Sequence, residues 1–354
     1  MTTTLESYNS KEAKGAHRLH LNENGCLDKE GFMHSLRDEL DNLGLYPDPQ
    51  CLALKQSLAK HHKTDIANLF IGNGLDEVVF LLSTAYLGKG DTILTSEKTF
   101  PGYELSAKAH KADSIKVPMY RHGTQPALYG SYLKDSTKLA YLCNPHNPCG
   151  TIQDIATVIE LIERMREKNV LAIIDEAYIQ FSDESVYSAV DLVNDYDNLV
   201  VLRSFSKSHG LASVRVGYAV ASKKVISELD NIACALPFRV NRLAQVAAKR
   251  CIESKTYIQE SVSGAQERVS HMYKFLTDLG VPAVKSVTNF LLVQIDAFGS
   301  DILSDLDKQG ISVRDCGCFG LPGYIRVSFA SEADCKVFKS AIVAYARQGS
   351  EMSL

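Results

Sequence analysis

Short apolar runs alternate along this chain with longer stretches in which apolar residues recur every three or four positions. The runs DTILTS (91–96), KLAYLCN (138–144), VLAIIDEAY (170–178), NLVVLRSF (198–205) and GYAVAS (217–222) are too short for helices and end in polar or Gly/Pro turns. They read as buried strands. Between the second and third lies TIQDIATVIELIERMREK (151–168), where Ile155, Val158, Ile159 and Ile162 share one helical face. Residues 224–283 carry mainly helical periodicity. Strand patterns return at FLLVQIDAF (290–298) and YIRVSFA (324–330). A last helix is expected over 331–347, with Ser331 as N-cap and Glu332 and Asp334 in its first turn. Strands alternating with helices predict an α/β protein: a large domain with a mostly parallel central sheet flanked by helices, and a small α+β C-terminal lobe. The expected boundaries are an N-terminal arm over 1–45 packing on the small lobe, a large domain over 46–250 and a small domain over 251–354.

Composition narrows the function classes. The 354 residues are 45% apolar and 23% charged, which excludes disorder, collagen and coiled coil as the main architecture. Lys plus Arg is 38 and Asp plus Glu is 42, a net charge of −4 with no basic run, so neither nucleic acid nor an anionic membrane is an expected partner. The polar N-terminus lacks the apolar core of a secretory signal, and no stretch reaches the length of a membrane span. Nine cysteines, an odd number without repeating pair spacing, read as reduced thiols in a cytoplasmic protein. Cys316 and Cys318 form a C-x-C that no second pair or histidine completes, so no metal is expected. His61–His62 reads as a solvated loop.

Four features fall at ends of the predicted strands, where open α/β sheets bind ligands: Asn147, Asp175, Lys207 and Arg215. Taken singly, Lys207 would be a solvated loop residue and Asp175 a cap. Together they suggest more. A lysine after a buried strand, set among Ser204, Ser206, Ser208 and Gly210, is available as an amine nucleophile for a carbonyl. A carboxylate closing the run Ala172–Ile174 pairs naturally with a buried cation such as a protonated pyridine nitrogen. Ser204, Ser206 and Arg215 offer an anion pocket, and GNGLDE (72–77) a turn into a helix whose free N–H groups suit a phosphate. Tyr103 could stack on a flat ring. Every part of pyridoxal 5′-phosphate (PLP) finds a partner here.

With these residues in view, the chain resembles the fold-type I PLP-dependent aminotransferases of class I/II, and most of all their histidinol-phosphate aminotransferase branch. The matching segments are LHLNENG (19–25), YPDPQCLALKQSLA (46–59), IGNGLDEVV (71–79), TFPGY (99–103), NPHNPCG (144–150), DEAYIQF (175–181), SFSKSHGLASVRVGY (204–218), VNRLAQ (240–245) and GLPGYIRVSF (320–329). The resemblance implies a PLP enzyme acting on an amino acid or amino-alcohol phosphate, with Lys207, Asp175 and Tyr178 in the chemistry. It implies cofactor contacts from Gly74, Leu75, Tyr103, Asn147, Asp175, Tyr178, Ser204, Lys207 and Arg215. Tyr46 would reach the cofactor of a neighbouring subunit, so a homodimer is implied. Arg326, Asn147 and His20 would bind substrate.

The chain departs from that branch in several places. The arm is short, NEN is followed by Gly25 and Cys26, LPFRVN adds Arg239, and Phe329-Ala330 follows Arg326. His20 reads either as a packing residue or, with acidic Glu6 and Glu23, as a contact for a polar or cationic substrate side chain. The alternative activity is a PLP-dependent lyase or cyclase. It would dehydrate and close a hydroxylated arginine-like amino acid without transamination, with His20 as the acid.

Overall fold

The computed structural model describes residues 17–25, 36–299 and 302–351. Strand β1 (His17–Arg18) opens the described chain and joins the C-terminal lobe. The next seven strands, β2 (Leu69–Gly72), β3 (Thr92–Ser96), β4 (Asp113–Val117), β5 (Thr137–Cys143), β6 (Leu171–Asp175), β7 (Leu199–Ser204) and β8 (Gly217–Ala221), form one sheet in the order β2-β8-β7-β6-β5-β3-β4. Neighbours run parallel except β8, which is antiparallel to both β2 and β7.

The continuous apolar runs follow from this placement, because helices cover both faces of the sheet. Alternate strand residues feed opposite cores. Leu94, Ala140, Ile174 and Val201 enter one cluster, and Ile93, Tyr141, Ile173 and Val200 the other. Edge strand β4 buries only Val117, so its polar sequence gave no strand signal, and β2 is only four residues long. The helix Ile155–Glu167 is capped by Asp154, which accepts from the Thr157 N–H at 2.8 Å. Its buried stripe is Val158, Leu161, Ile162 and Met165, with Ile155 and Ile159 half-buried at its margin. His62 is not in a solvated loop. It ends the helix Leu52–His62 and lies 2.8 Å from the Tyr218 hydroxyl.

The C-terminal lobe carries β9 (Ala283–Val284), β10 (Phe290–Gln294), β11 (Ile311–Ser312), β12 (Arg314–Asp315) and β13 (Tyr324–Ser328). Four of them form an antiparallel sheet, β12-β13-β10-β9, over a core of Leu291, Val293, Ile325, Val327, Met272 and Phe338. β1 pairs with β11 in parallel, and the Ser328 N–H donates to the Leu19 carbonyl at 2.9 Å. The last helix, Glu332–Glu351, starts with reciprocal bonds between Ser331 and Asp334. No helix among the described residues is long and apolar enough to cross a membrane.

One buried ion pair ties the ends of the two central strands. Arg203 and Glu176 are 1% and 0% exposed; Nε donates to Oε2 at 2.8 Å, and Arg203 also reaches Glu184 and Ser188. Arg203→Ala leaves the Glu176 carboxylate buried without a counter-charge. Urea denaturation is expected to show a loss of about 3–5 kcal/mol of unfolding free energy. A loss below about 1 kcal/mol would mean that water reaches Glu176.

Candidate active site

A cavity of about 510 Å³ opens at the carboxyl ends of the parallel strands, between the large sheet and the C-terminal lobe. The sheet places it there. The chain builds β3 and β4 on one side, then returns to build β5, β6 and β7 on the other, so the loops after β3 and β5 part and leave a crevice. Phe100 follows β3, Asn147 follows β5, Asp175 ends β6, and Ser204 and Lys207 end or follow β7. All five line the cavity.

Lys207 hydrogen-bonds the Leu21 carbonyl at 2.9 Å and lies 5.8 Å above the Tyr178 ring. Burial, reinforced by Arg326, pushes its ammonium down to about 7. Asp175 is 6% exposed and accepts from the Tyr103 hydroxyl at 2.5 Å and from the Ala177 N–H at 3.0 Å. Burial pushes its carboxyl up, since neither partner carries positive charge. Tyr178, also buried, accepts from Asn22 at 2.9 Å and meets Phe290 edge-on. Its own hydroxyl proton is therefore left for another acceptor.

Tyr103 does not face the cavity. Its ring is buried and stacked on Tyr141 at 4.4 Å, and its hydroxyl is spent on Asp175. The ring this motif places on the cavity wall is Phe100, three residues earlier, because the helix Gly102–Ala109 turns Tyr103 inward. The TFPGY motif located the right turn, but which aromatic faced the ligand depended on where that helix began.

Gly74 and Arg215 meet at the other end. Gly74 caps the helix Leu75–Tyr86 with φ +78°, and a Cβ there would lie 2.5 Å from an Arg215 guanidinium nitrogen. Arg215, itself in the left-handed region at φ 57°, donates to Asp76 at 2.8 Å. Ser204 Oγ accepts the Ser206 N–H at 3.0 Å.

On the lobe side, Arg326 is 5% exposed and donates to Asn147 Oδ1 at 2.5 Å and to the His20 carbonyl at 2.8 Å. Arg314, not singled out by sequence, stands directly across from it on β12 and lines the same cavity. Arg18 and Glu23, paired at 2.9 Å, complete the rim. Glu23 is the acidic residue of NEN that the sequence offered as a substrate contact; Arg18 had no sequence signal beyond its nearness to that segment. His20 offers the site its carbonyl, not its ring. The imidazole is buried outside the cavity wall, and burial, with Arg314 beside it, holds it down at about 4. It is therefore neutral at pH 7 and badly placed as an acid. Arg239 is likewise committed elsewhere, donating to the Ile71 carbonyl at 2.8 Å and pairing with Glu77. Tyr46 is 77% exposed, stacked on Phe238 at 4.5 Å, and absent from this chain's cavity wall. Glu6 and Cys26 lie outside the described residues.

The model of the family described as aminotransferase class I and II matches residues 19–342. The chain belongs to this family. The aminotransferase is 30% identical over 326 residues to the histidinol-phosphate aminotransferase of Caldicellulosiruptor saccharolyticus, covering 92% of this chain and 90% of that one. Its fold superposes with a TM-score of 0.89 on the Sinorhizobium meliloti histidinol-phosphate aminotransferase solved in complex with pyridoxal-5′-phosphate, at 25% identity over 95% of this chain and 92% of that one. The fold alone is shared with the L-threonine-O-3-phosphate decarboxylase of Porphyromonas gingivalis: TM-score 0.80, 22% identity, 94% of this chain and 99% of that one. The expected fold-type I aminotransferase is thus found, and its cofactor is PLP. The cyclase alternative is not favoured, since its acid, His20, is turned away and these relatives at 30–32% identity carry the aminotransferase name.

The chain's own residues fit that cofactor. Asp175 is a buried carboxylate without a cationic hydrogen-bond partner among the described residues, which a protonated ring nitrogen would supply. Two outcomes are expected. Gly74→Ala strains the backbone and pushes Arg215 aside, so the dissociation constant for PLP should rise roughly tenfold or more in a fluorescence titration. Because the Lys207 amine is free above about pH 7, the rate of cofactor capture should rise up to about pH 7 and then level off. An exposed lysine would instead give a rate still climbing towards roughly pH 10. Stopped-flow absorbance reads the difference.

Proposed function

We propose that this aminotransferase transfers the amino group of histidinol phosphate, or of a closely similar amino-alcohol phosphate, to a 2-oxo acid, within histidine biosynthesis. The observation that carries the reading is the pair Arg314 and Arg326. They stand directly opposite one another on β12 and β13, both face the cavity, and each has a buried Nε without a hydrogen-bond partner. Like charges facing across a sheet repel, and a dianionic phosphate between two guanidinium forks removes that repulsion. The names of the relatives at 30% identity and above agree.

PLP, when bound, supplies an aldehyde for the amino group and a ring that takes up the electron pair released at the α-carbon. Each protein group then has a task. Lys207 would hold the cofactor through its amine and would take or return the proton at the substrate's α-carbon. Asp175 keeps the ring nitrogen protonated, and Tyr103 orients that carboxylate from behind. Phe100 covers the ring face. Tyr178 and the Asn147 amide hydrogen-bond the ring oxygen. Ser204, Arg215 and the backbone at Gly74 and Leu75 hold the phosphate, with Tyr46 of a second copy completing that end.

The last role calls for a homodimer. Support comes from exposed Leu43, Leu45 and Tyr46, 63–77% accessible, and from the half-exposed Phe238 against which Tyr46 stacks. We read residues 46–250 and 251–354 as the large and small domains and 1–45 as an arm on the latter; most of each half's buried apolar residues lie in its own clusters, while Cys251 and Tyr257 pack into the large core. The eight free cysteines among the described residues suit the cytoplasm.

With histidinol phosphate as donor, the visible absorbance of the loaded enzyme is expected to bleach. Added 2-oxoglutarate should restore it and yield glutamate. Lys207→Ala should show neither the band nor turnover. A donor panel that never bleaches the band would refute transamination, and product release without an oxo-acid acceptor would point to elimination instead.

A further inference from the structure

We infer that Glu23 is a specificity-determining residue, reading a hydrogen-bond donor on the substrate's side chain. The inference rests on the reading above, that the substrate is an amino-alcohol phosphate. Three carboxylates line the cavity: Asp175, Asp76 and Glu23. Asp175 sits at the closed end with Tyr103, and Asp76 is paired with Arg215 at the cofactor-phosphate end. Glu23 alone stands on the substrate side, on the arm segment whose Leu21 carbonyl holds Lys207 and whose His20 carbonyl holds Arg326.

Its surroundings leave it equipped for a ligand. Arg18 donates to Oε1 at 2.9 Å, which fixes the side chain, while Oε2 carries no hydrogen bond among the described residues. The side chain is about one-third exposed and borders the cavity. The cavity thus has a basic edge at Arg314 and Arg326 and, on the arm, a Glu23–Arg18 pair in which Glu23 Oε2 is left to accept. A ligand with an anion at one end and an N–H at the other matches both. An aromatic ring without a donor would leave that oxygen desolvated and without a partner. The chemical class selected is a nitrogen heterocycle or other N–H-bearing side chain, neutral or cationic, in preference to a phenyl ring of similar size.

The test compares L-histidinol phosphate with L-phenylalaninol phosphate, a phosphate of similar shape whose ring has no N–H. Both are assayed with wild-type holoenzyme and with Glu23→Gln and Glu23→Ala. The measurements are kcat/KM and, independently, the dissociation constant by calorimetry. The ratio of kcat/KM for the two phosphates should fall about 10- to 100-fold in Glu23→Ala, the range for a hydrogen bond to a charged partner. It should fall less in Glu23→Gln, whose amide oxygen still accepts. The loss should lie in KM and in the dissociation constant, not in kcat. If wild-type prefers histidinol phosphate and both variants keep that preference within threefold, the role of Glu23 is overturned and the proposed function stands. If wild-type binds neither phosphate, both are overturned.

Discussion

Asp175 is the most demanding residue of this fold. A carboxylate at the end of a strand buried on both faces gives up most of its hydration, a cost of several kcal/mol that hydrogen bonds from a phenol and one amide only partly offset. Much of the neighbourhood is arranged around that carboxylate. Tyr103 is drawn inward to serve the carboxylate, Tyr141 stacks beneath it, and Cys143 stands beside it in register on β5. On the opposite face of the same strands, the Glu176–Arg203 pair holds the β6 and β7 ends together. Those ends set the separation between Asp175 and the Ser204–Lys207 turn, so an ion pair far from the ligand helps determine whether ring nitrogen and amine are met at once.

The site is divided between rigid and added parts. The large sheet supplies one wall of the cavity through strand ends that close packing leaves little freedom to move. The other wall comes from β12, β13 and the arm, which contributes backbone carbonyls to Lys207 and Arg326 and the side chain of Asn22 to Tyr178. The same fold, at a TM-score of 0.80, is carried by a protein named L-threonine-O-3-phosphate decarboxylase, so the fold alone does not fix the reaction.

The strands with continuous apolar runs were legible because both faces of the sheet are covered, and the order of motifs named the family because each motif marks one strand end. What escaped reading depended on contacts between distant segments. Edge strand β4 is polar because only one of its residues faces a core. Phe100 and Tyr103 are both aromatic and lie in one motif, and only the start of the following helix decides which is turned outward. Arg314 sits in an unremarkable ISVRD stretch and gains meaning from lying across from Arg326. His20 read either as packing or as chemistry; its ring is buried behind the cavity wall, since β1 draws the segment against β11. Arg239, which LPFRVN adds, bonds the Ile71 carbonyl and Glu77 and does not line the cavity.

The pairing of β1 with β11 also has a temporal side. His17 lies beside Ile311, and Arg326 bonds the carbonyl of His20, contacts that close loops of nearly the whole chain. Loop-closure entropy makes such contacts slow to form, and during synthesis the arm leaves the ribosome long before its partners exist. The seven-stranded sheet can close once β8 has docked, whereas the arm's bonds to β11 and β13 wait for the C-terminal lobe, so the cavity wall they complete is the last to form.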